Sequence, residues 1–255
     1  MNFFFQTHTD YFRSTLTIPK FQNNGHIRPD LSLFRADIRE SRWCLDEVKT
    51  KNDPNFWTIA GTKQNADAIY CICSKAEAEL ITSRRELINL NNFTSTFPDF
   101  RANLSIESVK GGFSSYQSDY PFRMTTKLAS LYSDCSTLTF ENCQKVGVFI
   151  RNIFYKPVQK KATLFLYDDL NKCIVEEFSV YTNRTTYIDL TKNRSVLSNC
   201  FVFADKFIGL PVYVVEFNNN NLSFEHTHPP HTPIGGKNRF SMVGSLKRSA
   251  LEKVT

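Results

Sequence analysis

Three of the five histidines of this chain lie within six residues, and this cluster is the strongest candidate for chemistry. In an extended segment, side chains alternate between two faces, so His226 and His228 point the same way. Pro229 and Pro230 then hold the chain extended as far as His231. Neutral imidazole binds zinc, iron, copper and nickel, and a His-x-His pair supplies two ligands from one strand. The spacing predicts a divalent transition metal site, zinc or iron, with His226, His228 and His231 as ligands.

Two interpretations of the histidine cluster stay open. In the first, the metal holds and activates a water molecule, and His8 or His26 supplies a fourth nitrogen. In the second, the segment is a rigid polar connection that follows a strand, and its imidazoles form hydrogen bonds with the backbone or with solvent. The triplet His226-Thr227-His228 resembles the His-x-His element of cupin barrels over these few residues. The glutamate that should follow and the glycine that should precede are absent, so no family membership follows.

A second candidate is the polar aromatic segment 113–123, which follows two glycines. Aromatic faces stack on sugar rings, while amide, carboxylate and guanidinium groups bond to hydroxyls or to a carboxylate. The segment predicts a ligand-binding loop, and carbohydrate is the ligand class expected for such a loop on a β-sandwich. The alternative is a long connection whose aromatic side chains fix it to the surface. The candidate ligand-binding residues are Tyr116, Gln117, Asp119, Tyr120 and Arg123.

The sequence pattern predicts that the elements that position these segments are β-strands. Successive apolar runs are separated by turns at the ~8–12-residue spacing of antiparallel β domains. The runs 162–167 and 173–181, with the turn 168–172 between them, predict a hairpin. The prolines after the last run place it at a sheet edge, because a central strand needs its N–H groups. Further strands are predicted at 146–154, 186–190, 200–204, 210–217 and 222–224.

The predicted fold is mostly β. An antiparallel, jelly-roll-like β-sandwich forms the central and C-terminal unit over 106–231, and a smaller α+β N-terminal part covers 1–105. A basic C-terminal arm covers 232–255, with a short helix near 246–254. In the N-terminal part, the capping-box sequence Ser74-Lys75-Ala76-Glu77 follows a short strand and starts a helix that should run to about Leu90.

Composition and charge narrow the class of protein. No run approaches the ~20 apolar residues of a membrane-spanning helix, and the N-terminus lacks the features of a secretory signal, so a cytoplasmic location is expected. The seven cysteines are an odd number without paired spacing, which favours reduced, buried thiols, and Cys71 and Cys73 should pack in the core. The net charge of +6 is spread along the chain and does not favour nucleic acid binding.

These patterns favour a soluble, non-catalytic binding or assembly protein that recognises a glycan or a glycan-linked partner through the 113–123 segment. No nucleophile elbow, phosphate-binding loop or dinucleotide fingerprint occurs in the sequence. The alternative is a metal-dependent enzyme in which the histidine cluster activates water or substrate. A homo-oligomer joined by the basic arm 232–255 is a further expectation.

Overall fold

Strands make up most of the part of the chain that the structure describes. The computed structural model describes residues 2–20, 30–50, 53–90, 101–126, 130–135, 138, 142–225 and 239–254. Within 239–254, only the side chains of residues 244, 245 and 248–253 are described. Within those residues there are two α-helices, α1 (Lys75–Arg84) and α2 (Arg239–Val254). The strands of the same residues are β1 (Asn2–Phe5), β2 (Phe12–Pro19), β3 (Ser32–Arg39), β4 (Arg42–Glu47), β5 (Phe56–Ala60), β6 (Ile69–Cys73), β7 (Asn103–Ser108), β8 (Phe113–Gln117), β9 (Tyr120–Pro121), β10 (Leu131–Asp134), β11 (Cys143–Asn152), β12 (Lys161–Asp168), β13 (Cys173–Tyr181), β14 (Arg184–Asp189), β15 (Cys200–Ala204), β16 (Leu210–Phe217) and β17 (Leu222–Glu225).

The strands form four sheets whose neighbours pair antiparallel. Sheet A has the order β4-β3-β6-β1-β9, and sheet B has the order β5-β2-β7-β8. Sheet C has the order β14-β11-β16-β17, and sheet D has the order β10-β15-β12-β13. Sheets C and D enclose one hydrophobic core between them and form the C-terminal sandwich. The mostly β, antiparallel fold class predicted from the sequence is confirmed.

Sheet C is a middle layer, which explains why its central strand is so apolar. On β11, Val146, Val148 and Ile150 pack in the core shared with sheet D. Phe149 points to the opposite side and packs in a second core with residues of sheets A and B. Most positions of β11 are buried because both faces of the strand are covered. Strands covered on both faces read as continuous apolar runs rather than as alternating ones.

The second core joins the two halves of the sequence. It contains Phe4 of β1 and Leu104 of β7 together with Phe149 of β11 and Val212 of β16. β7 runs across the predicted boundary between residues 105 and 106. The division of the chain at that point stays a prediction. The groove described below lies where these two halves meet.

Helix α1 begins as the sequence predicts but ends earlier. The Ser74 hydroxyl accepts a hydrogen bond from the backbone N–H of Glu77 (3.3 Å), and the Glu77 carboxylate accepts one from the N–H of Ser74 (2.9 Å). The prediction that the helix runs to about Leu90 is wrong, since α1 ends at Arg84. Arg85 has a φ of 65°, and this left-handed conformation ends the helix.

The C-terminal helix packs against the outer face of sheet D. Ala250 of α2 is 1% exposed, and the hydroxyls of Ser249 and Tyr167 lie 3.1 Å apart. The sequence predicts only a short helix near 246–254, whereas α2 starts at Arg239. Neither described helix combines the length and the apolar character needed to cross a membrane. The sheet residues that cluster with Ala250 are Tyr132, Phe165, Tyr167, Ile174, Phe201 and Phe203.

The strand predictions differ in outcome between the sandwich and the 113–123 segment. The hairpin of β12 and β13 is confirmed, and β15 and β16 have the predicted bounds. The prediction that 113–123 is a loop is wrong, because most of it forms β8 and β9. β8 pairs with β7 at the edge of sheet B, where alternate positions face solvent. Polar side chains are stable at such positions, so polarity alone does not indicate a loop.

Candidate functional site

The predicted metal ligands His226, His228 and His231 lie outside the residues that the structure describes. β17, which leads to them, pairs with β16 at the edge of sheet C and ends at Glu225. The predicted edge position of this strand is confirmed. Within the described residues, no group of three or more His, Cys, Asp or Glu side chains is placed to hold a metal ion. The metal site stays a prediction.

Gln117, Arg123 and Tyr116 of the predicted ligand-binding set are at least partly accessible. Gln117 is exposed at the end of β8, and its side-chain oxygen accepts a hydrogen bond from Arg101 (2.9 Å). Arg123 is exposed in the 3-10 turn after β9. Tyr116 is half-buried, and its ring meets that of Phe224 edge to face with 6.1 Å between the centroids. Tyr116 therefore packs β8 against β17.

The other two predicted residues, Asp119 and Tyr120, lie beside the buried Arg151, and Asp119 is itself partly exposed. Tyr120 and Arg151 are both completely buried, so a ligand from solution does not reach them. The Nη1 of Arg151 donates a hydrogen bond to the hydroxyl of Ser118 (3.1 Å). The guanidinium carbon lies 5.4 Å from the centre of the Tyr116 ring, which is the distance of a cation–π contact. This cluster attaches the 113–123 segment to β11.

Burial sets the charge state of Asp119. Loss of hydration raises the pKa of its carboxyl to about 6, although the nearby charges of Arg101 and Arg151 and the backbone N–H of Ala102 act in the opposite direction. The Oδ1 of Asp119 and the Nη2 of Arg151 are buried without a hydrogen-bond partner among the described residues. The ionised form of this partly exposed carboxyl is therefore disfavoured.

An open cleft of about 270 Å³ lies between the turn after β1 and strand β14. A narrower cleft of about 80 Å³ adjoins it, and the two share Asp67 and Arg184. We call the two clefts together the junction groove. The first cleft is lined by His8, Lys63, Ala66, Asp67, Phe149, Arg184, Thr185 and Tyr187. The second is lined by Arg35, Ala36, Asp37, Ile38, Trp43, Asp67, Ala68, Ile69, Gln159, Asn183 and Arg184.

Ion pairs fix the charged side chains of the junction groove. An Nη2 atom of Arg184 lies 2.5 Å from a carboxylate oxygen of Asp67, and both side chains are about two-fifths exposed (40% and 39%). In the narrower cleft, the Nε of Arg35 donates to the carboxylate of Asp37 (3.0 Å). Planar guanidinium and carboxylate groups thereby stand along the groove in defined orientations.

Buried hydrogen bonds around Gln6 hold the floor of the groove rigid. The Thr185 hydroxyl on β14 donates to the backbone oxygen of Gln6 (2.9 Å). The Gln6 amide nitrogen donates to the backbone oxygen of Ile59 (2.9 Å), and its amide oxygen accepts from the Ser14 hydroxyl (2.8 Å). One glutamine therefore ties β14 of sheet C to β2 and β5 of sheet B.

Tyr187 forms an aromatic wall of the groove. Its ring lies across Gly147 of β11, where a Cβ atom would come within 2.5 Å of the tyrosine oxygen. The ring centroid is 4.8 Å from that of Phe149. The hydroxyl is buried without a hydrogen-bond partner among the described residues, and burial raises its pKa, with the charge of Asp189 adding to the shift. Glycine is therefore required at position 147 if the ring is to lie flat.

His8 lies at the opposite wall, packed against Gly61. A Cβ atom at Gly61 would lie 2.9 Å from the His8 Nδ1 and 2.6 Å from the Ser14 hydroxyl. The Nδ1 is buried and has no hydrogen-bond partner among the described residues. Burial lowers the pKa of His8, Arg13 and Lys63 lower it further, and Asp10 opposes them. The imidazole is therefore mainly neutral at pH 7.

The sequence reading did not find the junction groove, because no local motif joins its residues. Asp67 and Arg184 are 117 positions apart and meet only when β14 packs beside the N-terminal sheets. The single available signal was His8 itself, a histidine next to a buried phenylalanine run. Arg151 had a clearer signal, since an arginine inside an apolar strand needs partners in the interior.

Comparison with known proteins gives no relatives for this chain. No family of known proteins matches the sequence, no curated protein matches it, and no solved structure matches the fold.

Proposed function

We propose that the protein is a non-catalytic binding protein and that the junction groove holds its ligand, a carbohydrate or the glycan of a glycan-linked partner. One observation carries the proposal. One open groove combines the ion pair of Asp67 and Arg184 with the aromatic side chains of Tyr187 and His8. The two charged side chains are about two-fifths exposed, so a polar ligand in the groove can form hydrogen bonds with them.

The chemistry of the lining favours a carbohydrate over an apolar ligand. Neighbouring sugar hydroxyls each donate and accept, and they are matched by planar groups that offer two atoms side by side. The groove offers two carboxylates and two guanidinium groups, and an aromatic ring closes one wall. The planar polar side chains of the lining that are not fully bonded within the protein are Arg35, Asp37, Asp67, Gln159 and Arg184, since the Asn183 amide bonds to the backbone of residues 154, 156 and 158.

The rigid floor supports the same proposal. The buried bonds of Gln6 to Thr185, Ile59 and Ser14 fix the wall strands before any ligand arrives. A preorganised site loses little conformational entropy on binding, which raises affinity for weakly interacting polar ligands such as sugars.

The proposal places the ligand away from the 113–123 segment. Tyr120 is completely buried and Tyr116 packs on Phe224, which leaves Gln117, Arg123 and the partly exposed Asp119 as the accessible members of the predicted set. A ligand role for the segment stays a prediction, and the binding experiment below includes it as a separate arm.

Binding to a panel of neutral and acidic glycans tests the proposal. We expect Arg184→Gln to weaken binding about tenfold or more, because it removes a charge-assisted hydrogen bond. Arg194→Gln is the control, since Arg194 is an exposed arginine outside the groove that lines a separate cleft beside Glu176 and Lys192. Binding that survives Arg184→Gln but is lost in Tyr116→Ala or Gln117→Ala would contradict the groove and favour the 113–123 segment. Absence of any glycan binding would contradict the carbohydrate class.

A metal-dependent enzyme is the second candidate function. What supports it is the position of β17, an edge strand that ends at Glu225 and leads directly to the three histidines. We propose His226, His228 and His231 as the ligands of that site. Elemental analysis of protein purified without a histidine tag tests it. Stoichiometric zinc or iron that is lost in the double variant His226→Ala/His228→Ala supports the enzyme, and a metal-free, equally stable protein contradicts it.

We also propose a cytoplasmic location and a homo-oligomer. The cysteines are free thiols, and Cys71 and Cys73 pack in the core, which suits a reducing compartment. For the oligomer, the basic segment 232–255 is the proposed contact. Light scattering tests it, because removal of residues 233–255 should lower the solution mass. An unchanged mass contradicts this arrangement.

A further inference from the structure

Strand β13 is an edge strand of sheet D. It has nine residues and pairs with β12 on one side, and within the described residues no strand pairs with its other side. It is also the longest edge strand of the four described sheets. A long exposed edge presents backbone N–H and C=O groups to which a further strand can pair.

The direction of these backbone groups follows from the register with β12. The N–H of Thr182, directly after β13, donates to the backbone oxygen of Lys160 opposite it (3.0 Å). In an antiparallel pair, residues that bond to the partner strand alternate with residues whose N–H and C=O point away from it. The backbone groups of Glu177, Ser179 and Tyr181 therefore point outward from the edge.

A cleft of about 720 Å³ opens beside this edge, between β13 and the 3-10 turn after β14. Phe178 of β13 lines the cleft and packs against the core that sheets C and D share. An added strand would direct every second side chain to the face of β13 that holds Phe178. The cleft can therefore receive side chains of such a strand.

The charged side chains of this cleft have partners within the protein. Glu176 pairs with Lys192 (2.5 Å), and Asp189 pairs with Lys145 (2.7 Å). The Nη1 of Arg194 donates to a backbone oxygen (3.0 Å). Because these groups are already bonded, the aromatic ring of Phe178 decides the preference of the cleft, and it favours an apolar side chain.

Glu177 lies on the other face of β13 and is exposed. It stands opposite Phe165 of β12, and its carboxylate has no ion pair among the described residues. A strand that adds to β13 places one side chain directly beside Glu177. Opposite charges at such positions stabilise a strand pair and like charges destabilise it, so the edge favours lysine or arginine there.

The same carboxylate disfavours a second copy of the chain at this edge. Glu177 is the central residue of β13. Two copies of β13 that pair antiparallel over their full length would bring their two Glu177 carboxylates together, which is destabilising. The charge of the edge therefore favours a strand of another protein over self-association.

We propose that β13 binds an extended segment of a partner protein by strand addition, and that this segment carries a lysine or arginine beside Glu177 between apolar residues that face the cleft beside Phe178. Backbone hydrogen bonds to the outward groups of β13 supply affinity, and the alternating side chains supply specificity. The proposal goes beyond glycan binding and does not depend on the junction groove.

Fluorescence anisotropy of the full chain with labelled synthetic peptides tests the proposal. The probe has nine residues, the length of β13, and alternates threonine and valine with a lysine at its centre between two valines. A second probe has glutamate at the centre. We expect the wild type to bind the lysine peptide about fivefold more tightly than the glutamate peptide, and Glu177→Lys to reverse this preference. Glu79→Lys is the matched control, because it makes the same change of charge at an exposed position of α1, and it should keep the wild-type preference.

N-methyl groups on the lysine peptide test the backbone pairing without any change to the protein. Methyl groups on the lysine and on the residues two positions away from it remove the N–H groups that would face β13, so binding should be lost. Methyl groups on the valines leave those N–H groups intact, so binding should remain.

Each outcome supports or overturns the proposal. Equal binding of the two probes to the wild type, or an unchanged preference in Glu177→Lys, would contradict the position beside Glu177. Equal binding of the two N-methylated peptides would contradict strand addition. If neither probe binds, the proposal is wrong. In that case, a wild-type solution mass that falls in Ser179→Pro, which removes an outward N–H, would show that a second copy occupies the edge. Glycan binding is measured separately and can survive each of these results.

Discussion

Two polar regions of sheet C use similar side chains in opposite ways. In the cluster around Arg151, the arginine and Tyr120 are both 0% exposed, and the carboxylate of Asp119 beside them is only partly exposed. In the junction groove, Arg184, Asp67 and Tyr187 line an open cleft, and the Arg184 side chain is 40% exposed. The types of residue do not distinguish the two regions. Accessibility does, and it separates a group that holds the fold from a group that can hold a ligand.

The energetics of the two arginines follow from this difference. A buried guanidinium has lost its hydration and depends on every interior contact, so removal of its partners or of the group itself is costly. An exposed ion pair is screened by water and contributes little to stability. Mutations in the first region should therefore change the free energy of unfolding, and mutations in the groove should change binding.

The largest effect is expected when the two arginines are compared directly. Arg151→Ala should lower the free energy of unfolding by ~3 kcal/mol, because it leaves a cavity and removes the positive charge beside Asp119. Arg184→Ala should lower it by less than ~1 kcal/mol. Urea denaturation of both variants measures the difference. Equal losses would show that the two regions do not differ in the way proposed.

Gly147→Ala should affect both stability and the groove. The added methyl group meets the Tyr187 ring, so the ring must move, at a cost of ~2 kcal/mol typical of overpacking. Because Tyr187 forms one wall of the cleft, glycan binding should weaken as well. Gly111→Ala is not a suitable control, since Gly111 has a φ of 93°. Thermal denaturation beside a binding assay tests the variant, and unchanged binding would remove Tyr187 from the site.

Asp119→Asn should remove a pH dependence from the free energy of unfolding. The carboxyl has a pKa of about 6 in the folded state, above its ordinary value of 3.8, so folding favours its protonated form. This stabilising contribution is fully present below pH 3.8 and is lost as the pH rises through 6, a loss of ~3 kcal/mol. Asparagine stays neutral, so the variant should lack this decline. The test is to measure the free energy of unfolding of the wild type and the variant between pH 4 and pH 8. An equal decline in both proteins would contradict the assignment of this pH dependence to Asp119.

Thr185→Val should have a smaller effect on stability than Arg151→Ala or Gly147→Ala. It removes the buried hydrogen bond to the backbone oxygen of Gln6 and should cost ~1 kcal/mol. Thr163→Val on sheet D is the control, because Thr163 is exposed. If the two variants have the same stability, the bond does not hold the groove floor.

The sequence was sufficient for the strands of the sandwich but not for the end of α1. Apolar runs such as 200–204 and 210–217 became strands with the predicted bounds, because their hydrophobic length is set by the core that they cross. The helix signal after Ser74 was equally local and correct at its start. Its end at Arg84 depends on the left-handed conformation of Arg85, which no periodicity encodes.

The candidate site could not be predicted from the sequence, for a physical reason. Short-range patterns report on one face of one element, whereas the groove is formed by the packing of β14 beside the turn after β1. Tyr120 illustrates the same limit, since an aromatic residue in a polar run was expected at a ligand and is completely buried. Whether a polar side chain is enclosed or open depends on contacts between distant segments.

The crystal structure of the protein bound to the glycan with the highest affinity in the panel tests the central claim most directly. The account predicts sugar density in the junction groove, with an oxygen within hydrogen-bond distance of Arg184 or Asp67 and the ring near Tyr187. Density at the 113–123 segment or elsewhere on the surface, with the groove unchanged, would contradict it.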